Sequence, residues 1–346
     1  MAGAEQYLPA GKLPHHVLQR LLTRHAGGAD RRLLVGAGVG EDAAVIDFGE
    51  TCLVAKTDPI TFATDRIGWY AVHVNANDIA AMGATPRWFL STVIVPEALA
   101  TEALFDDILG QIHQACESLG VTVAGGHSEI SQGMDRPLVI GQMLGEVPRD
   151  RIIPGLQPGD DVLLTKTLAI EATAIMARER ADDLRQQGWS QAQLDRCAAY
   201  LTDPGISVVT DARVALAAGE IHALHDPTEG GVATGLLELA TAADVGLEIF
   251  AEHLQVHDDS RRLCASFGLD PFGVISSGAL LIGCPPGATA AITAALADAG
   301  INCTCIGKAH SADFGLHLRT AQGTLIDLPR FAVDEITRLF RTSRSC

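Results

Sequence analysis

Three shortages in this sequence each remove a class of protein before any motif is read. Its eight cysteines are scattered along 346 residues, without the density or spacing of a disulfide scaffold, and this suits a reducing compartment. Lys and Arg together number 25 against 42 Asp and Glu, a formal net charge of −17. So acidic a chain lacks the clustered cations that a nucleic-acid partner demands. No apolar run approaches the length of a membrane span, and the first thirteen residues lack the basic and apolar regions of a secretory signal. The expectation is a cytoplasmic protein with no nucleic-acid partner and no membrane. There is also no Gly-Lys-Ser/Thr of a P-loop, and no glycine run with the spacing and helical sequel of a dinucleotide fingerprint. Nucleotides themselves stay open, because acidic residues that hold Mg²⁺ can seat a triphosphate in an acidic protein.

What is present reads as α/β or α+β in two parts. The length exceeds what one hydrophobic core usually supports, and the composition, 47% hydrophobic and 19% charged, is that of an ordinary globular protein. Helical periodicity predicts helices over residues 14–25, 68–82, 102–119, 169–178, 190–200, 207–218, 232–243 and 288–299. Apolar runs predict strands over 43–46, 52–56, 89–95, 121–124, 138–146, 162–166 and 279–283. Pro59 is expected to stop the second of these strands, since it cannot continue a ladder. Gly125 to Glu129 is expected to be a loop at a strand's carboxyl end. The Pro- and Gly-rich stretch from residue 148 to 161 is the best domain boundary, giving domains 1–152 and 153–346.

Several motifs could carry chemistry. Gly36-Ala-Gly-Val-Gly-Glu-Asp42 lets backbone amides approach a ligand with an acid just after the turn, although taken alone a plain tight turn is the better reading. Asn75 and Asp78 are neighbours on a helical surface, and an Asp in so apolar a stretch is costly to bury without a partner or metal; an exposed polar stripe is the alternative. Asp226-Pro-Thr-Glu-Gly-Gly231 precedes an apolar helix, where Asp226 or Thr228 can cap and the amides of the first turn can hold an anion. Cys303 and Cys305 form a C-x-C pair with no second pair to complete a metal site, so they read as small buried residues. Lys56, Lys166, Glu171 and His225 remain undecided.

Taken in order, Gly40-Glu-Asp42, Lys56-Thr-Asp58, Val74-Asn-Ala-Asn77-Asp78 through Met82-Gly-Ala-Thr-Pro86, Ala124-Gly-Gly126, Pro158-Gly-Asp160 and Asp226-Pro-Thr-Glu-Gly-Gly231 resemble the successive signatures of the AIR synthase-related family. That family includes AIR synthase, FGAM synthetase, thiamine-phosphate kinase, selenophosphate synthetase and the hydrogenase maturation factor HypE, which the chain resembles most. The resemblance implies an N-terminal dimerising α/β domain, a C-terminal α/β domain, and an ATP-dependent enzyme that phosphorylates a poor nucleophile, commonly an amide oxygen. It implies ATP and Mg²⁺ as cofactors, with Asp42, Asp58, Asp78 and Asp226 as the metal shell. Gly40, Lys56, Asn77, Gly125, Gly126, Thr228 and Gly230 would join them around the nucleotide.

The HypE likeness further implies that Cys346 carries a carbamoyl group, which is dehydrated to a thiocyanate during nickel–iron hydrogenase maturation. A homodimer and carbamoyl-transfer and hydrogenase-maturation partners follow from the same likeness. Two departures stand out. HypE proteins usually end in Pro-Arg-Ile-Cys, whereas this chain ends Arg341-Thr-Ser-Arg-Ser-Cys346. HypE also has Gly-Asp-Thr-Lys where this chain has Gly126-His127-Ser128-Glu129, which leaves His127 and Glu129 as the candidates for proton transfer. An ATP user acting on a free metabolite, and a non-catalytic nucleotide-binding module, are the competing readings.

Overall fold

The computed structural model describes residue 8 and residues 11–25, 30–38 and 40–340; the Cys346 expectation falls outside them. The first half is a six-stranded sheet of β1 (Leu33–Val35), β2 (Ala44–Asp47), β3 (Thr51–Ile60), β4 (Thr85–Pro96), β5 (Thr122–Ser131) and β6 (Leu138–Pro148), in the order β1-β2-β3-β6-β4-β5. Only β4 and β5 run parallel. Helices α1 (His15–His25), α2 (Ile67–Ala81) and α3 (Glu102–Leu119) accompany it. The predicted span of α3 is observed, fixed by the Thr101 hydroxyl, which accepts from Leu104 N at 3.2 Å, and by Gly120 in the left-handed region.

The second half is a seven-stranded mixed sheet built from β7 (Asp161–Thr165), β8 (Ala223–His225), β9 (Val245–Phe250), β10 (Leu281–Cys284), β11 (Cys303–Ser311), β12 (Leu316–Arg319) and β13 (Leu325–Asp327). Its order is β13-β12-β9-β11-β7-β10-β8. Its helices are α4 (Ile170–Glu179), α5 (Ala181–Gln186), α6 (Gln191–Ala198), α7 (Val209–Ala218), α8 (Gly231–Ala243), α9 (Asp258–Phe267), α10 (Pro286–Asp298) and α11 (Thr337–Phe340). One continuous apolar core joins the halves.

Helix α2 sits at the seam and explains much of the site. It is apolar nearly all round and buried nearly all round, the pattern of a central helix and not of an amphipathic surface one. It packs on β3 and β6, on α3, and on α7 and β8 of the other half. The exposed polar stripe is therefore ruled out: Asn75, Asn77 and Asp78 are all buried.

Two strand expectations need correction. β3 does not stop at Lys56 but pairs with β6 through Asp58 and Pro59 to Ile60. β2 pairs only with Cys52 to Ala55, so beyond that point β3 is an edge on its far side, where Pro is tolerated. β5 likewise runs unbroken through Gly125-Gly126-His127-Ser128-Glu129, paired with β4. Gly126 serves this pairing: at φ +157, a Cβ there would collide with the backbone of Ser91. The loop expected at Gly125 to Glu129 is an exposed edge strand.

Candidate functional site

Three carboxylates from three separate elements converge at the seam. Asp42 follows the Gly40 turn into β2, Asp78 lies in the last turns of α2, and Asp226 follows β8. Each offers an oxygen within 4.8 Å of the others. Gly40 makes this possible, because at φ +85 it lies against α8, where a Cβ would meet the carbonyl of Glu238. Asp78 and Asp226 are 3% and 2% exposed. Both oxygens of Asp226 and Oδ2 of Asp78 are buried with no hydrogen-bond partner. An orphaned buried polar group costs about 1–3 kcal/mol, more when charged, so the cluster stores repulsion.

The cations around it respond to that field. Lys56 Nζ donates to Asp78 Oδ1 at 3.1 Å and lies 3.4 Å from Asp58 Oδ2. Burial works against its charge, but Asp78, Asp58 and Asp42 outweigh burial and raise its pKa. His225 donates from Nδ1 to Asp42 Oδ2 at 2.9 Å and from Nε2 to Glu238 Oε2 at 3.2 Å. Both ring nitrogens thus face carboxylates, and despite burial its pKa stands well above the ordinary imidazole value. Glu238 in turn lies 3.2 Å from His15 Nε2 and 3.7 Å from Lys12 Nζ. Burial raises the pKa of Asp226 to about 8, with Asp42 adding to the effect.

Two compartments share this floor. One of about 200 Å³ holds Gly40, Asp42, Lys56, Asp78, His225 and Asp226. A second of about 330 Å³ includes Phe62, Arg136, Glu171, Glu229 and Ser277 in its walls. Lys12, Asp58 and Thr228 line both, so the two adjoin.

The predicted residues divide accordingly. Asp42, Asp78 and Asp226 come together, while Asp58 stands on the other side of Lys56, its backbone N–H donating to Asn75 Oδ1 at 2.9 Å. Gly40, Lys56 and Thr228 also line the cleft. Asn77 does not: it is fully buried, donates to Ile206 O at 2.8 Å and accepts from Val208 N at 2.8 Å, which ties the two halves together. Gly125, Gly126, His127 and Glu129 lie on exposed β5 and line neither compartment; His127 and Glu129 only face each other, at 3.3 Å. Neither Asp226 nor Thr228 caps α8. Gly230 is its N-cap residue and donates to Asp334 Oδ2 at 2.6 Å, while Gly231 N donates to Thr228 O at 3.0 Å. These two amides are spent within the protein, so they are not the anion site the sequence suggested.

Lys12, His15 and Glu238 escaped the sequence reading. One signal was available. The chain has four lysines, Lys12, Lys56, Lys166 and Lys308, and two of them reach the cleft.

Oxygen ligands on a hard, buried, under-satisfied cluster suit a divalent cation such as Mg²⁺. The fold and cleft thus define a two-domain α/β protein with an acidic cleft at the seam. The AIR synthase-related N-terminal domain matches residues 40–147 and the C-terminal domain residues 157–317, and the chain belongs to that family. It is 27% identical over 260 residues to a putative hydrogenase expression/formation protein of Methanocaldococcus jannaschii, covering 72% of this chain and 73% of that one. It is 27% identical over 323 residues to the carbamoyl dehydratase HypE of Rhodobacter capsulatus, covering 90% and 91%. A HypE–HypF complex superposes with a TM-score of 0.72 at 21% identity, over 91% of this chain and 99% of that one. HypE in complex with ATP gives 0.68 at 24% identity, over 90% and 94%. No helix among the described residues is long and apolar enough to cross a membrane.

Proposed function

We propose that this protein is an ATP-dependent enzyme that activates an amide oxygen by phosphorylation, and that the amide is a carbamoyl group on Cys346, dehydrated to a thiocyanate as in HypE. The net reaction converts RS–C(=O)NH2 and ATP to RS–C≡N, ADP and phosphate. Asp42, Asp78 and Asp226 would hold Mg²⁺, which when bound supplies charge neutralisation for the triphosphate. Lys56 and Lys12 bring positive charge to the same floor without a P-loop, and His225 fixes the orientation of Asp42. The larger compartment, beside the same floor, would take the acceptor.

The observation that carries this reading is the stack of Phe62 on Phe340, with ring centroids 6.1 Å apart. Phe62 is a wall of the 330 Å³ compartment, so the chain leaves α11 at its rim. Cys346 is six residues further on, a reach of up to about 20 Å at roughly 3.4 Å per residue. A HypE-like partner in carbamoyl transfer and a homodimer formed through the first domain belong to the same proposal.

Cyanate provides a direct test, since it carbamoylates thiols without any partner protein. After cyanate treatment, Mg-ATP should remove the mass of one water from the peptide containing Cys346, with one ADP released per event. Cys346→Ala should abolish both. If the peptide mass stays unchanged while wild type and variant release ADP alike, the carrier role is wrong. The altered tail and Glu129 in place of the HypE lysine favour a second reading, an ATP user acting on a free small molecule; in that case ADP release survives Cys346→Ala.

A further inference from the structure

The larger compartment contains an acid that nothing above has used. Glu171 lies in the first turn of α4 and is 3% exposed. Its only hydrogen bond among the described residues is a long one, accepting from Ser277 N at 3.3 Å, and no Lys or Arg among them pairs with it. The Ser277 hydroxyl, fully buried on the same compartment wall, has no partner among the described residues. A buried carboxyl with one long hydrogen bond beside an unpaired hydroxyl is an unstable way to finish a core. It is a reasonable way to receive a polar substrate.

We propose that Glu171 is the proton acceptor of the reaction: it takes a proton from the acceptor group in the 330 Å³ compartment as that group attacks the γ-phosphorus, while the Ser277 hydroxyl orients it. This assignment rests on the function proposed above. For a primary amide, the oxygen–phosphorus bond forms, the bond from phosphorus to ADP breaks, and one N–H proton passes to a Glu171 oxygen. The carbon–oxygen bond then breaks, and the remaining N–H proton leaves with phosphate as the nitrile forms. Both protons and the phosphoryl group are accounted for by ATP and the protein alone.

The environment suits a base that works near neutrality. Burial holds the Glu171 pKa up at about 7, against the hydrogen bond from Ser277 N, with Asp334 and Glu229 adding to the rise. The other ionisable groups of the compartment are Lys12, Asp58 and Arg136, and burial, with Glu171 adding to it, raises the pKa of Tyr70 on α2.

The test is the pH profile of cyanate-treated full-length protein with Mg-ATP, for wild type and Glu171→Gln. Gln is isosteric and can still accept from Ser277 N, and an unchanged Tm together with unchanged calorimetric binding of Mg-AMPPCP would show that the variant folds and binds. Wild-type turnover should rise through pH 7. Glu171→Gln should lose that limb and fall about 10²- to 10⁴-fold in kcat, with KM for ATP unchanged. A variant within threefold of wild type, or one that keeps the limb, overturns the assignment. If the carbamoylated wild type is inert, the carrier reading fails separately, and the profile is then read on ATP hydrolysis, with water as the acceptor. Absence of a Glu171-dependent limb in both assays also overturns it.

Discussion

Lys56 and Lys166 occupy comparable places, one on β3 of the first sheet and the other immediately after β7 of the second, each followed by Thr and each buried against an Asp. Their surroundings differ in one respect. Lys166 Nζ donates to Asp211 Oδ2 at 3.0 Å and to Ser207 O at 2.7 Å, and Asp211 Oδ1 also accepts from Thr165 Oγ1 at 2.7 Å. That pair is closed. Lys56 instead faces several carboxylates, and oxygens of Asp78 and Asp226 still lack any partner. A buried pair whose groups are all satisfied reads as structure, while an excess of unsatisfied charge of one sign reads as a place kept for a cation. The comparison also answers the open question about Lys166, which is held in a buried ion pair with Asp211.

Breaking the closed pair should give the largest effect on stability. Asp211→Ala leaves the Lys166 ammonium buried with only a carbonyl, and should cost about 3–5 kcal/mol. It should show as a large drop in Tm while Mg-nucleotide affinity, measured by calorimetry on folded protein, is unchanged. A Tm within a degree of wild type would mean that water already solvates Lys166. The open cluster should behave in the opposite sense. Asp226→Asn should lower ATP turnover by at least about 10²-fold, yet leave Tm unchanged or raised, because it replaces a buried carboxyl whose oxygens have no partner among the described residues. A strong fall in Tm with turnover intact would show that Asp226 is structural.

How much of this was visible beforehand follows the same division. Asp78 stood out because an acid inside an apolar run is expensive to bury, whereas Asp42 and Asp226 sit beside glycine turns that local sequence left open, and entered the expected metal shell through the family resemblance. The span of α3 was legible because its Thr101 cap and Gly120 stop are local. Asn77 was misread because its partners, Ile206 and Val208, are about 130 positions away, and nothing in Asn-Ala-Asn-Asp says which amide turns toward which half. Gly125 and Gly126 were misread for a related reason. A glycine pair signals close backbone approach but does not say whether a phosphate or a neighbouring strand makes it. Glu238 looked like any helix acid, and its role depends on His225 and His15 meeting it from either side.

The smallest expected effect tests whether the open cluster is open to metal. With the Asp226 pKa raised from 3.8 to about 8, the folded metal-free protein holds a proton that the unfolded chain releases. Its stability therefore falls as pH rises through that window, the reverse of an ordinary salt-bridged carboxylate. Mg²⁺ competes with that proton. At pH 6 the ion must displace it, and each unit below the raised pKa weakens binding up to tenfold; at pH 9 nothing need be displaced. Mg²⁺ should thus raise Tm by a few degrees more at pH 9 than at pH 6, since two pH units below the raised pKa are worth up to about 2.7 kcal/mol and each kcal/mol about 1–2 °C in a protein of this length. Asp226→Asn should remove the pH dependence of that increment. An equal increment at both values in the wild type would show that Asp226 is ionised throughout, and the contrast between the two lysine environments would then rest on geometry alone.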